Sequence, residues 1–161
     1  MLDMVPRPRI PSSPSTGGNR RSQPNCNEAC AGHFARSATV LSRSCLSPMT
    51  AAHFVAMSGS GDILIVEIKS CLLDYRTDAK WQDYLEYCDR LYFAVRADFP
   101  CEVIPEEAGL ILANRYGAEL VREGIEERLS AARRRAMMLA FARAAALRLQ
   151  QHLDPGCSFE I

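Results

Sequence analysis

The tripeptide Glu67-Ile68-Lys69 closes the run Asp62-Ile-Leu-Ile-Val-Glu-Ile-Lys69 and holds the residues best suited to chemistry. In an extended chain successive side chains point to opposite faces, so Glu67 and Lys69 share one face, a pleat apart. A carboxylate placed there can hold a divalent cation through hard oxygen, with the Ile68 backbone carbonyl as a neighbouring donor. Lys69 can orient or deprotonate an attacking water, and its charged form can offset charge developing on a phosphate. The same two residues also make an ordinary ion pair at a strand end, and the tripeptide occurs by chance in many chains. The elements around it separate these readings.

Phe54-Val-Ala-Met57, then Ser58-Gly-Ser-Gly61, then Asp62 to Lys69 reads as two strands around a glycine turn. In the second strand Ile63, Ile65 and Glu67 fall on one face and Leu64, Val66 and Ile68 on the other, which predicts a central strand covered on both sides. Asp74 to Asp89 carries Trp81, Tyr84, Leu85 and Cys88 at helical spacing. Arg90 to Val95 and Gly109 to Ala113 are β-rich, and the turn Tyr116-Gly117 leads to Ala118–Arg122, which can pair back. Ser130 is placed to cap a helix running from Ala131 to Leu153, which contains no Gly or Pro. Its apolar stripe is read as Leu139, Ala142, Ala146, Leu149 and Leu153, and Pro155-Gly156 ends it. The order is β-β-α-β-β-β-α, an α/β domain with a mixed sheet.

Upstream the signals fade. Residues 1–48 are expected to be disordered or non-native: Met1 to Gln23 is rich in Pro, Ser, Arg and Gly, and Asn25 to Thr50 carries one weakly helical piece around Glu28 to Leu41. Residues 49–155 form the foldable domain and 156–161 a tail. Removal of residues 1–48 is expected to cost little stability.

Further candidates lie on the helices. Lys80, Arg133 and Arg134 are placed to contact nucleic-acid phosphate, against the ordinary reading of a solvated face in which Arg134 or Arg135 pairs Glu126 or Glu127. Trp81 reads as a core anchor covering the sheet. Nineteen basic and nineteen acidic residues cancel, so any nucleic-acid contact must come from a local patch. Seven cysteines, an odd number, without a secretory signal fit a reduced cytoplasmic protein, and Cys71 and Cys88 read as structural. Cys26 and Cys30 lack the later pair that a zinc site requires. No apolar run approaches the ~20 residues of a membrane span.

The blocks Gly61 to Ser70, Asp74 to Trp81 and Tyr87 to Val95, with Gly109-Leu-Ile and the Arg- and Ala-rich closing helix, resemble the MmcB-type DNA-repair endonucleases of the PD-(D/E)XK nuclease superfamily. The match covers about the last hundred residues. The resemblance implies a restriction-endonuclease-like core with a mixed central sheet flanked by helices. It also implies Mg²⁺ (or Mn²⁺) as cofactor, DNA as partner together with other repair proteins, and Glu67 and Lys69 as the catalytic pair. In that family an aspartate opens the strand before the glycine turn as the first metal ligand; here that position is His53. Imidazole is a poor ligand for magnesium. The resemblance therefore implies metal-dependent phosphodiester hydrolysis, or, with its aspartate lost, an inactive DNA-binding or protein-interaction module of the same fold. An RNA-directed nuclease is a third reading. The break in pattern near positions 50–53 is also what a segment translated out of frame would produce.

Overall fold

The computed structural model describes residues 38–42, 53–78 and 81–155. Six strands form one mixed sheet in sequence order: β1 (Ala38–Ser42), β2 (His53–Ser58), β3 (Ile63–Lys69), β4 (Arg90–Val95), β5 (Gly109–Asn114) and β6 (Gly117–Arg122). The pairs β1/β2, β2/β3 and β5/β6 are antiparallel, while β3/β4 and β4/β5 are parallel. The β3–β4 crossover carries two short helices, α1 (Leu72–Thr77) and α2 (Trp81–Tyr84), followed by a 3₁₀ turn at Leu85–Tyr87. A long helix, α3 (Ala131–Leu153), closes the chain. The expected α/β fold, a mixed central sheet flanked by helices in a restriction-endonuclease-like arrangement, is present.

The β2–β3 turn forms because Gly61 takes φ +87°, a conformation that a side chain disfavours, while Ser58 and Ser60 hold the Asp62 carboxylate. The period-two reading of β3 is borne out. Ile63 and Ile65 join Leu91, Phe93, Leu110, Leu112, Met137 and Phe141 on the helix-covered face. Leu64 and Val66 join Phe54, Tyr92, Ala94 and Ile111 on the other. Trp81 packs edge-on against Phe93 with centroids 5.8 Å apart, anchoring α2 as its sequence setting suggested.

Three expectations about elements need correction. The helical piece running to Leu41 is, at Ala38–Ser42, a strand paired to β2, so the truncation expected to be silent would remove an edge of the sheet; residues 28–37 lie outside the described residues. The single helix expected over Asp74–Asp89 is interrupted after Thr77. The stripe expected on α3 is not the buried one: Met137, Phe141 and Ala144 are buried, whereas Leu139, Leu149 and Leu153 are exposed. The cap is as expected, with the Ser130 side chain accepting from the Arg133 amide.

Gly109, where β5 enters beside β4, leaves no room for a side chain. A Cβ there would overlap the buried Tyr92 ring and come 2.8 Å from the Gly124 amide nitrogen. The ring cannot swing away, because the Tyr92 hydroxyl donates to Glu123 at 2.6 Å. Gly109→Ala is expected to cost about 3 kcal/mol, measured by urea unfolding; a loss under about 1 kcal/mol would mean that the β4–β5 contact yields easily.

Candidate active site

Strand β3 sits between β2 and β4, and its C-terminal half carries the site. Glu67 is in register with Phe93 of β4 on one side and with His53 of β2 on the other, and Lys69 is in register with Val95. Glu67 is fully buried and Lys69 is only 3% exposed. The Lys69 ammonium donates to Glu67 Oε1 at 3.0 Å and to Asp78 Oδ2, so one lysine holds two carboxylates. Asp78 reaches the strand because α1 stops at Thr77 and its C-cap residue is Asp78 itself.

Burial sets the electrostatics. It drives the Glu67 carboxyl up to about 7, with the Lys69 ammonium pulling the other way. For Lys69, burial alone would lower the pKa, but hydrogen bonds and charge from Asp78 and Glu67 outweigh it and leave the amine above its ordinary value. Lys69 therefore stays an ammonium at neutral pH. It can orient a water and neutralise an anion, but is poorly placed to accept a proton.

The donors fit a divalent cation in kind. Glu67 and Asp78 offer hard carboxylate oxygen and Ile68 a carbonyl, and a carboxylate with no exposed surface gains from a positive neighbour. In number the set is short, since among the described residues no three His, Cys, Asp or Glu side chains cluster as a metal site would require.

The remaining candidates scatter. Lys80 lies outside the described residues. Arg133 donates to the Glu86 carboxylate at 2.7 Å and its carbonyl at 3.0 Å, and lies over the Tyr87 ring. Arg134 is engaged structurally: it donates to both Asp89 oxygens, at 2.6 and 3.0 Å, and to the Gly61 carbonyl at 2.8 Å. Its acidic partner is therefore Asp89, not Glu126 or Glu127; Glu126 instead binds Arg90 and Arg128. Burial pushes the Cys88 thiol up to about 12, which fits a structural role, whereas Cys71 is exposed.

Sequence reasoning missed two residues. Asp78 was visible as an acid close after the strand, but its reach to Lys69 depends on where α1 ends. Asp89 carries no motif. Its carboxylate accepts from the amides of Ile63 at 2.7 Å and Leu129 at 3.0 Å as well as from Arg134. Burial would raise its pKa, but Arg134 and these amides outweigh it and hold the carboxyl below the ordinary range.

A family model described as DNA repair protein MmcB-like matches residues 30–156. The match begins upstream of positions 50–53. A search of curated proteins found no match. Among solved structures, the SPO1766 protein of unknown function from Silicibacter pomeroyi is 37% identical, with a TM-score of 0.77 over 84% of this chain and 95% of that one. No helix of the described residues is long and apolar enough to cross a membrane. With the greater part of its length matched by the family model, the chain belongs to the MmcB-like DNA repair family.

Proposed function

We propose that this DNA-repair protein is a metal-dependent DNA endonuclease of the PD-(D/E)XK type. The observation that carries the reading is the fully buried Glu67 sharing Lys69 with Asp78 at the end of the central strand. Glu67 and Asp78, with the Ile68 carbonyl, would hold Mg²⁺ or Mn²⁺. Such a cation, when bound, supplies Lewis acidity and lowers the pKa of water. Lys69, kept charged by its two carboxylates, orients the water and offsets charge developing on the scissile phosphate. Arg133 and Lys80 are candidates for more distant phosphates. Arg134 can serve only by giving up Asp89.

Glu67→Gln tests this reading, because it removes the charge at constant volume while Asp78 still holds Lys69. Calorimetry with Mn²⁺ and cleavage of a DNA substrate are expected to show metal binding abolished and cleavage down by a factor on the order of 10² or more, with the fold retained. Equal Mn²⁺ affinity in parent and variant would sink the assignment.

The imidazole at position 53, in register with Glu67, favours a second reading: a DNA-binding or protein-interaction module that keeps the fold without cleavage. The parent protein's own cleavage assay with Mg²⁺ separates the two.

A further inference from the structure

The carboxyl ends of β3, β4 and β5 form one edge of the sheet. Lys69 is in register with Val95, and Val95 with Leu112. Just beyond Val95 and Leu112 on that edge is a cavity of about 590 Å³, lined by Arg96 and Asp98 after β4 and by Asn114, Arg115 and Tyr116 at the β5–β6 turn. In open sheets of parallel strands, ligands bind outside these carboxyl ends, and cavities of this size take small organic ligands.

The lining has the chemistry of a nucleotide subsite. The Arg115 guanidinium lies 4.7 Å over the Tyr116 ring centroid, a layered cation and aromatic surface. Among the described residues Arg115 has no acidic partner, so its charge can meet an anion. Arg96 is held by Asp98 through two hydrogen bonds at 3.0 and 3.1 Å, and both side chains are exposed. The turn is fixed because Asn114 Oδ1 accepts from the Tyr116 and Gly117 amides, at 2.8 and 3.1 Å. The Asn114 side chain also brings an amide nitrogen, a hydrogen-bond donor, to the lining residues. Guanidinium and aromatic planes stack on bases only when those bases are unpaired.

We propose that this cavity binds one unpaired nucleotide of a DNA strand, with its phosphate on Arg115 and its base against the Arg115–Tyr116 surface. The placement of the neighbouring phosphodiester at Lys69 rests on the nuclease reading above; binding itself does not. Asp98 competes with the phosphate for Arg96, so the free protein holds that arginine in reserve.

The test is fluorescence anisotropy with a short single-stranded DNA oligonucleotide and a blunt duplex of the same sequence, in EDTA, so that failure of the metal site leaves the result intact. Arg115→Ala and Tyr116→Ala are each expected to weaken single-strand binding about fivefold or more, while Tyr116→Phe keeps it and Asp98→Asn strengthens it. Unchanged single-strand affinity in Arg115→Ala, or a duplex bound as tightly as the single strand, overturns the proposal. The fold of each variant is checked by its melting temperature, and Arg143→Ala, on the exposed face of α3, controls for loss of charge alone.

Discussion

Asp89→Ala is expected to lower the stability of the folded chain by about 3 kcal/mol or more, because removing one partner of a buried ion pair strands the other. Asp89 is 2% exposed, and its two oxygens satisfy the Arg134 guanidinium and the amides of Ile63 and Leu129. Its backbone adds two more links, donating to the Ile63 carbonyl at 2.7 Å and accepting from the Glu127 amide at 2.9 Å. The start of β3, the entry to β4, the segment before α3 and the first turn of α3 thus meet on one residue. Asp89→Asn keeps the shape but loses the charge, so a smaller loss is expected. Urea unfolding measures both.

The sign of the pH dependence follows from the depressed pKa. The folded form holds the Asp89 carboxyl below its ordinary value of 3.8, so its stabilisation is complete above about pH 4 and disappears as pH falls through the folded-state value. The difference between parent and Asp89→Ala is therefore expected to be constant from pH 5 upward and to shrink in acid. A loss under about 1 kcal/mol at pH 7 would show that Arg134 finds water as readily as it finds Asp89.

His53→Asp is expected to raise Mg²⁺ affinity about tenfold or more, because the affinity of oxygen sites rises with the number of charged ligands. The basis is the strand register: position 53 of β2 is the partner of Glu67 in an antiparallel pair, and directly opposed residues have Cβ atoms about 4.5–5.5 Å apart. Like charges directly opposite each other in an antiparallel pair are destabilising, so without metal the melting temperature is expected to fall, and Mg²⁺ is expected to restore it by binding only the folded form. Glu67→Gln in that background should remove the gain. Calorimetry with Mg²⁺ is the direct readout; a variant that binds no better than the parent would place position 53 outside the ligand set.

Most of the sheet was legible because β3 to β6 carry strong local patterns. Ser130 marked the start of α3 for the same reason: a cap is a local signal. The rotation of α3 was not legible, since its sequence carries two apolar stripes of similar spacing. The choice is made by Arg134, which Asp89 pins; the residues three, seven and ten positions on are Met137, Phe141 and Ala144, and these are the buried ones. The stripe through Leu139 and Leu149 is thereby turned to solvent. Strand β1 escaped notice because Ala38-Thr-Val-Leu-Ser42 is short, without turn signals, and gains its structure from pairing with β2. That Glu67 and Lys69 share a face was readable from alternation, and the elements around them singled the pair out, whereas the reach of Asp78 to Lys69 depended on where a short helix stops.

The uneven burial along α3 carries a dynamic consequence. Its last buried residue is Ala144, and Leu147, Leu149 and Leu153 are 42%, 59% and 71% exposed. Beyond Ala144 the helix depends largely on its own backbone ladder, and short helices are marginal in water without packing. Amide hydrogen exchange should therefore be graded along one continuous element: protons near Met137 and Phe141 released only by opening of the whole domain, those past Leu147 by fraying that leaves the sheet untouched.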